Sequence, residues 1–110
     1  MIKLRFFLFK TLLSLIYLAI MVVTLRQMQY VISVAKLGSF SKAADECAAD
    51  QSTVSQQIKT FEDRMNIVIF DRTSIPVTVN PAGNEIVEQC QKIVNQVDEM
   101  IAPFKKKRLL

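Results

Sequence analysis

The chain has 110 residues, 51% of them hydrophobic, a formal net charge of +4, two cysteines and no histidine. That length holds one domain, or one domain plus appendages. With no histidine and with Cys47 and Cys90 43 positions apart, there is no zinc-site spacing, no disulfide framework and no nucleophile–base arrangement, so neither an enzyme nor a cofactor or metal centre is expected.

The positive charge sits at the ends. From Thr24 to Ala102 seven basic residues stand against all ten acids, a net of −3, while Lys3, Arg5, Lys10 and the closing Lys105, Lys106, Lys107 and Arg108 carry the excess. Residues 1–23 form a hydrophobic leader. Its uncharged run, Thr11 to Leu25, is 15 residues long, below the ~20 that a spanning helix needs. It reads as an extension upstream of a start at Met21, or as a membrane or interfacial segment over residues 6–25 with Lys10 snorkelling to the headgroups. A cleaved signal peptide fits less well, because no small-x-small site follows Leu18.

The body, residues 24–80, begins with a helical pattern over Leu25 to Leu37, placing Leu25, Met28, Val31, Ile32 and Ala35 on one face. Gly38 is its expected stop, where a positive φ costs little. Ser41 is expected to cap a short helix from Lys42 to about Ala48, with Ala43, Ala44 and Cys47 inward. Asp50 is the cap expected for a second helix, Gln51 to Met65, which buries Val54, Ile58, Phe61 and Met65 at spacings of 4, 3 and 4. Val68–Arg72 and Val77–Asn80 read as a hairpin joined through Thr73, Ser74, Ile75 and Pro76.

Residues 81–104 open on Asn80-Pro81, a cap followed by proline at the first helical position, and the helix is expected to end near Pro103. Ile86, Cys90, Ile93, Val97, Met100 and Phe104 fall at spacings of 4, 3, 4, 3 and 4. That is a heptad seam able to pair with a second copy, or the inner face of a helix packed on its own domain. Residues 105–110 are a basic tail. The two cysteines read as small buried hydrophobes.

Two short helices joined by a tight turn, then a hairpin and a long helix, make a mainly α fold: a winged helix-turn-helix with a β-hairpin wing and a long C-terminal linker helix. In such a motif the second helix enters the major groove of DNA. Here that helix, "DQSTVSQQIK", carries Gln, Ser and Thr around Val54 and Ile58, as a surface that reads base edges must.

The run "TLRQMQYVISVAKLGSFSKAADECAADQSTVSQQIKTFEDRMNIVIFDRTSIPVTVNPAG" resembles the amino-terminal DNA-binding domain of LysR-type transcriptional regulators. Gly38-Ser39-Phe40, Ala43-Ala44, Ser55 with Gln57-Ile58, Glu62, Phe70-Asp71-Arg72 and Pro81-Ala82-Gly83, in that order, carry the likeness, which extends to about Met100. The resemblance implies a sequence-specific transcriptional regulator bound to double-stranded DNA in the cytoplasm, at the nucleoid. It implies a homodimer joined through the linker helix, for which the heptad spacing offers Ile86, Cys90, Ile93, Val97 and Met100; the leader leaves inner-membrane association through residues 6–25 as the alternative location. Carried over by position, Gln51, Ser52 and Ser55 would read bases, with Gln56 and Lys59 further along the same face. Thr53, Ser39, Ser41, Lys42, Arg72 and Thr73 would reach phosphates. The chain departs from the family at Asp50-Gln51-Ser52, where Ser-Gln-Pro is usual, at Gln56, commonly Arg, and in a wing of Ser74-Ile75-Pro76-Val77 that is often Arg-rich; each lost phosphate contact lowers affinity and salt slope. Relatives continue into a ligand-binding effector domain, whereas this chain stops at "KKKRLL". The expectation is therefore a regulator truncated before that domain; the alternatives are a dimerising or membrane-associated interaction protein, which could form heterodimers with full-length relatives, and an inactive gene fragment.

Overall fold

The computed structural model describes residues 2–21 and 23–109; Met1 and Val22 of the leader and Leu110 of the tail lie outside it. Five helices and one hairpin follow in order: α1 (Ile2–Met21), α2 (Leu25–Leu37), α3 (Phe40–Glu46), α4 (Gln51–Met65), β1 (Phe70–Asp71), β2 (Thr78–Val79) and α5 (Asn84–Leu109), the last preceded by a 3-10 turn, Pro81–Gly83. From Lys3 to Ile16 every side chain of α1 is exposed, Phe6, Phe7 and Phe9 included. Among the described residues no helix is long and apolar enough to cross a membrane.

A capping box starts α2. The Thr24 hydroxyl accepts from the Gln27 amide at 3.1 Å, and the Gln27 side-chain oxygen accepts from the Thr24 amide at 2.9 Å, which satisfies two of the orphan donors at the helix start. Gly38 ends the helix as expected, at φ 64°. The buried stripe of α2 is wider than its sequence pattern: Gln27, Tyr30, Val31, Ser33 and Val34 are buried, while Met28, Ile32 and Ala35 are partly so. The reason is that α2 is the central helix, packed on α3, α4 and α5 at once.

The short helix begins earlier than expected. Ser39, not Ser41, is the cap, with extended backbone and a hydroxyl accepting from the Lys42 amide at 3.1 Å. Asp50 does hold the cap position of α4, but its carboxylate makes no capping hydrogen bond. Within α4, Val54, Ile58 and Phe61 are buried together with Glu62, whereas Met65 is 40% exposed. Phe61, Ile58, Ile69, Val31, Val34 and Val54 are the largest fully enclosed side chains, each contributing about 1.5–3 kcal/mol relative to exposure.

The hairpin is shorter than its β-rich sequence: two antiparallel pairs, Phe70 with Val79 and Asp71 with Thr78. So short a ladder is not stable alone. It is held by bonds at its two ends: Val77 N–H to Gly38 C=O at 2.9 Å on the loop side and Asn80 N–H to Ile69 C=O at 2.7 Å at the base. The long helix begins at Asn84, with Asn80 capping only the 3-10 turn through its backbone position, and it runs through Pro103 to Leu109 instead of stopping there. Its first half packs on α2, burying Cys90 and Val94 and partly burying Ile86 and Val87.

Candidate nucleic-acid interface

The helix-turn-helix is α3 and α4 with the turn between them. Ala43 and Ala44 are buried, which lets α3 pack closely on α2 and α4. The turn passes through Ala48 at φ 51°, and the Ala49 amide bonds back to the Ala44 carbonyl at 3.0 Å. From this frame α4 projects one polar face. Gln51, Ser52, Thr53, Gln56 and Lys59 are exposed, and Ser55 is half-buried. Ser52, Ser55, Gln56 and Lys59 are three and four apart, so they lie along one side, opposite Val54, Ile58 and Phe61.

Gln57 is placed differently. Its side-chain oxygen accepts from the Gln27 amide group at 3.0 Å, tying α4 to α2 from a position 30 residues away. Neither glutamine is a candidate reader by sequence, and neither becomes one; they are a polar bond inside the helical layer.

The residues expected to reach phosphates divide into two groups. Ser41 and Lys42 are exposed on the first turn of α3, free to meet an anion. Ser39, Arg72 and Thr73 already have partners. The Ser39 hydroxyl caps α3. The Thr73 hydroxyl donates to Asp71 Oδ1 at 2.6 Å and its backbone amide to the same oxygen at 2.9 Å, bonds that hold the Asp71 carboxyl below its ordinary pKa of 3.8. Arg72 donates to Ser55 Oγ at 2.8 Å and to Glu62 Oε1 at 3.1 Å, and its guanidinium lies over the Phe40 ring at 4.6 Å. Glu62, 8% exposed, accepts from the Ile69 amide at 2.7 Å through its other oxygen. The Glu62 anchor is the feature missed by sequence reasoning; its signal was Glu62 ten positions before Arg72, which follows β1.

A second cluster braces α2 against α3: Glu46 pairs with Lys36 and accepts from the Ser33 hydroxyl, and these bonds keep its carboxyl below the usual 4.5. Arg26 lies over Tyr30 and donates to the Cys47 carbonyl, closing the end of α3. Among the described residues no group of three His, Cys, Asp or Glu could hold a metal ion.

On α5 the predicted seam separates. Cys90 is 2% exposed inside its own domain, because the α5 stripe of Ile86, Cys90 and Val94 is what covers α2. Cys90 is thus unavailable to a second chain, and Ile86 is half-covered. Ile93 is 37%, Met100 64%, Ile101 37% and Phe104 64% exposed, with Val97 half-buried.

A polar helix set across a second helix, with a short hairpin beside it and a long helix behind, defines a winged helix-turn-helix. The family model described as bacterial regulatory helix-turn-helix protein, lysR family, matches residues 25–84, and the chain belongs to that family. It is 33% identical over 82 residues, 74% of this chain and 27% of the relative, to the HTH-type transcriptional regulator BenM of Acinetobacter baylyi. It is 33% identical over 73 residues, 66% of this chain and 24% of the relative, to the DNA-binding transcriptional dual regulator OxyR of Escherichia coli K12. The chain thus spans about a quarter of the length of these curated relatives. Its fold matches the BenM_DBD/benA site 1 DNA complex with TM-score 0.71 and 31% identity, over 78% of this chain and 97% of the other. It also matches Vibrio fischeri DarR in complex with DNA, with TM-score 0.73 and 26% identity, over 81% of this chain and 30% of the other.

Proposed function

We propose that the chain binds double-stranded DNA in a sequence-specific way and acts in transcriptional control, as a homodimer joined through the exposed part of α5. The observation that carries this reading is the outward row on α4. Gln51, Ser52, Gln56 and Lys59 are exposed while Val54, Ile58 and Phe61 fix the opposite side. Glutamine can bond adenine through two atoms, and serine can donate to or accept from several bases. Lys42 and Ser41 on α3 supply backbone contacts beside it. The likeness to relatives solved with DNA supports the same use of this helix. Ile93, Val97, Met100, Ile101 and Phe104 form an apolar strip on α5 that a second copy would cover, placing two reading helices on one duplex. Such a protein works at the nucleoid.

The test is recovery of fragments from a genomic pool by the full chain, with competitor DNA and at two salt concentrations. A few fragments sharing a motif, lost on Gln51→Ala with Ser55→Ala, is the expected result. Uniform, salt-sensitive recovery unaffected by those substitutions would sink the reading and favour a protein that pairs with full-length relatives through α5.

A further inference from the structure

Arg72 joins three elements through one side chain. From the start of the wing it donates to Ser55 Oγ on α4 at 2.8 Å, pairs with Glu62 at 3.1 Å and lies over Phe40 of α3 at 4.6 Å. Glu62 is in turn fixed by the backbone amides of Ile69 at 2.7 Å and Phe70 at 3.4 Å. Resting on the DNA-reading role of α4, we propose that Arg72 is a positioning residue that commits Ser55 to act as a hydrogen-bond donor toward DNA. The base pair beneath Ser55 is then one that offers an acceptor there: guanine N7 or O6, adenine N7 or thymine O4.

Lone pairs and charge decide the direction of the Ser55 bond. A serine hydroxyl has one proton and two acceptor sites, and its rotation lets it serve either role, so an unassisted serine discriminates poorly between base edges. Here a guanidinium N–H occupies an acceptor site of Ser55, so the hydroxyl proton must point away from Arg72. The cation behind the oxygen also favours an electronegative atom in front of it and disfavours the cytosine or adenine amino group. Arg72 cannot readily swing to a phosphate instead. Its departure would leave the buried Glu62 carboxylate, 8% exposed, without its ion pair, which is strongly unfavourable.

The test is enrichment of a randomised duplex pool by the full chain and by Ser55→Ala, Arg72→Gln and Arg72→Lys, with melting curves for each and binding measured at several salt concentrations. Arg72→Lys keeps a cation beside Glu62 but loses the fork that reaches Ser55 as well, so it probes the idea if Arg72→Gln fails to fold. All folded variants are expected to flatten the preference at one shared position by about fivefold or more, other positions unchanged, and Arg72→Lys to keep the salt slope. A motif that survives in the Arg72 variants while affinity falls equally on all sequences, with the Arg72→Gln salt slope lower by about one, would make Arg72 a phosphate contact and overturn the proposal. So would a preferred pair that offers its amino group to Ser55. If the unsubstituted chain enriches no motif, the DNA-reading role itself falls, and this proposal with it.

Discussion

Three described residues between helices, Gly38, Ala48 and Asn66, have left-handed backbone, and only one of them is glycine. Gly38 has φ 64°, and a Cβ there would stand 2.9 Å from the Pro76 Cβ and 3.4 Å from the Val77 carbonyl oxygen. It is therefore required twice, by its own conformation and by the wing lying against it. Gly38→Ala is expected to lower stability by about 2 kcal/mol, from the left-handed penalty of ~1–2 kcal/mol and the crowding. Ala48, at φ 51° and exposed, pays the same conformational penalty with no crowding to explain it. Ala48→Gly should stabilise by about 0.5–1 kcal/mol, the relief of strain exceeding the added freedom of the unfolded chain. Urea unfolding of both variants checks the pair: equal signs would contradict the account. Gly38 was legible in the sequence, as the stop after an apolar period; Ala48 was not, since alanine gives no hint of a positive φ. The choice between Ser39 and Ser41 as cap was equally hidden. Both are serines, and the backbone, extended at Ser39, decides.

At the scale of elements, α2 and α4 were readable because their apolar residues recur at helical spacing, and the structure places α2 over Leu25–Leu37 and α4 over Gln51–Met65. The polar face of α4 was readable for the same reason, as what remains outside the buried stripe. Arg72 was not: its partners Phe40, Ser55 and Glu62 belong to other elements, and period analysis sees one element at a time. The long helix shows the opposite failure. Its heptad spacing is real, but Cys90 and part of Ile86 serve the domain's own core, so spacing alone overcounted the surface left for a partner. The part left open makes a prediction. Ile93→Glu with Met100→Glu is expected to convert a dimer into a monomer in sedimentation experiments. Because both side chains are exposed in the single chain, its melting should change by no more than about 0.5 kcal/mol. A dimer that persists would move the contact elsewhere.

At the scale of the whole molecule, two carboxyls and one thiol have pKa values displaced from their ordinary ones, and each displacement ties stability to pH. Asp71, bonded by Thr73, and Glu46, bonded by Lys36 and Ser33, have folded pKa values below 3.8 and 4.5. The stability they contribute is present above those ordinary values and is lost as pH falls through the lowered ones. Cys90 works in the other direction. Burial pushes its thiol up from 9.0 to about 11, so its contribution is intact below pH 9 and declines as pH rises toward 11. Urea midpoints across the pH scale should therefore fall at both ends, and Cys90→Ala should flatten the alkaline side relative to the unsubstituted chain; an unchanged alkaline limb would mean the thiol is already ionisable when folded. The anchoring of the wing has a further consequence at this scale. Two of its amides are bonded not to a long ladder but to the helical layer, Val77 to Gly38 and Ile69 to Glu62, while Asn80 bonds back to Ile69. Ile75 at its tip is 98% exposed. In deuterated water the Val77 and Ile69 amides would thus exchange only when the wing comes away from the helices, while the tip labels at once, so these two amides keep time with the core.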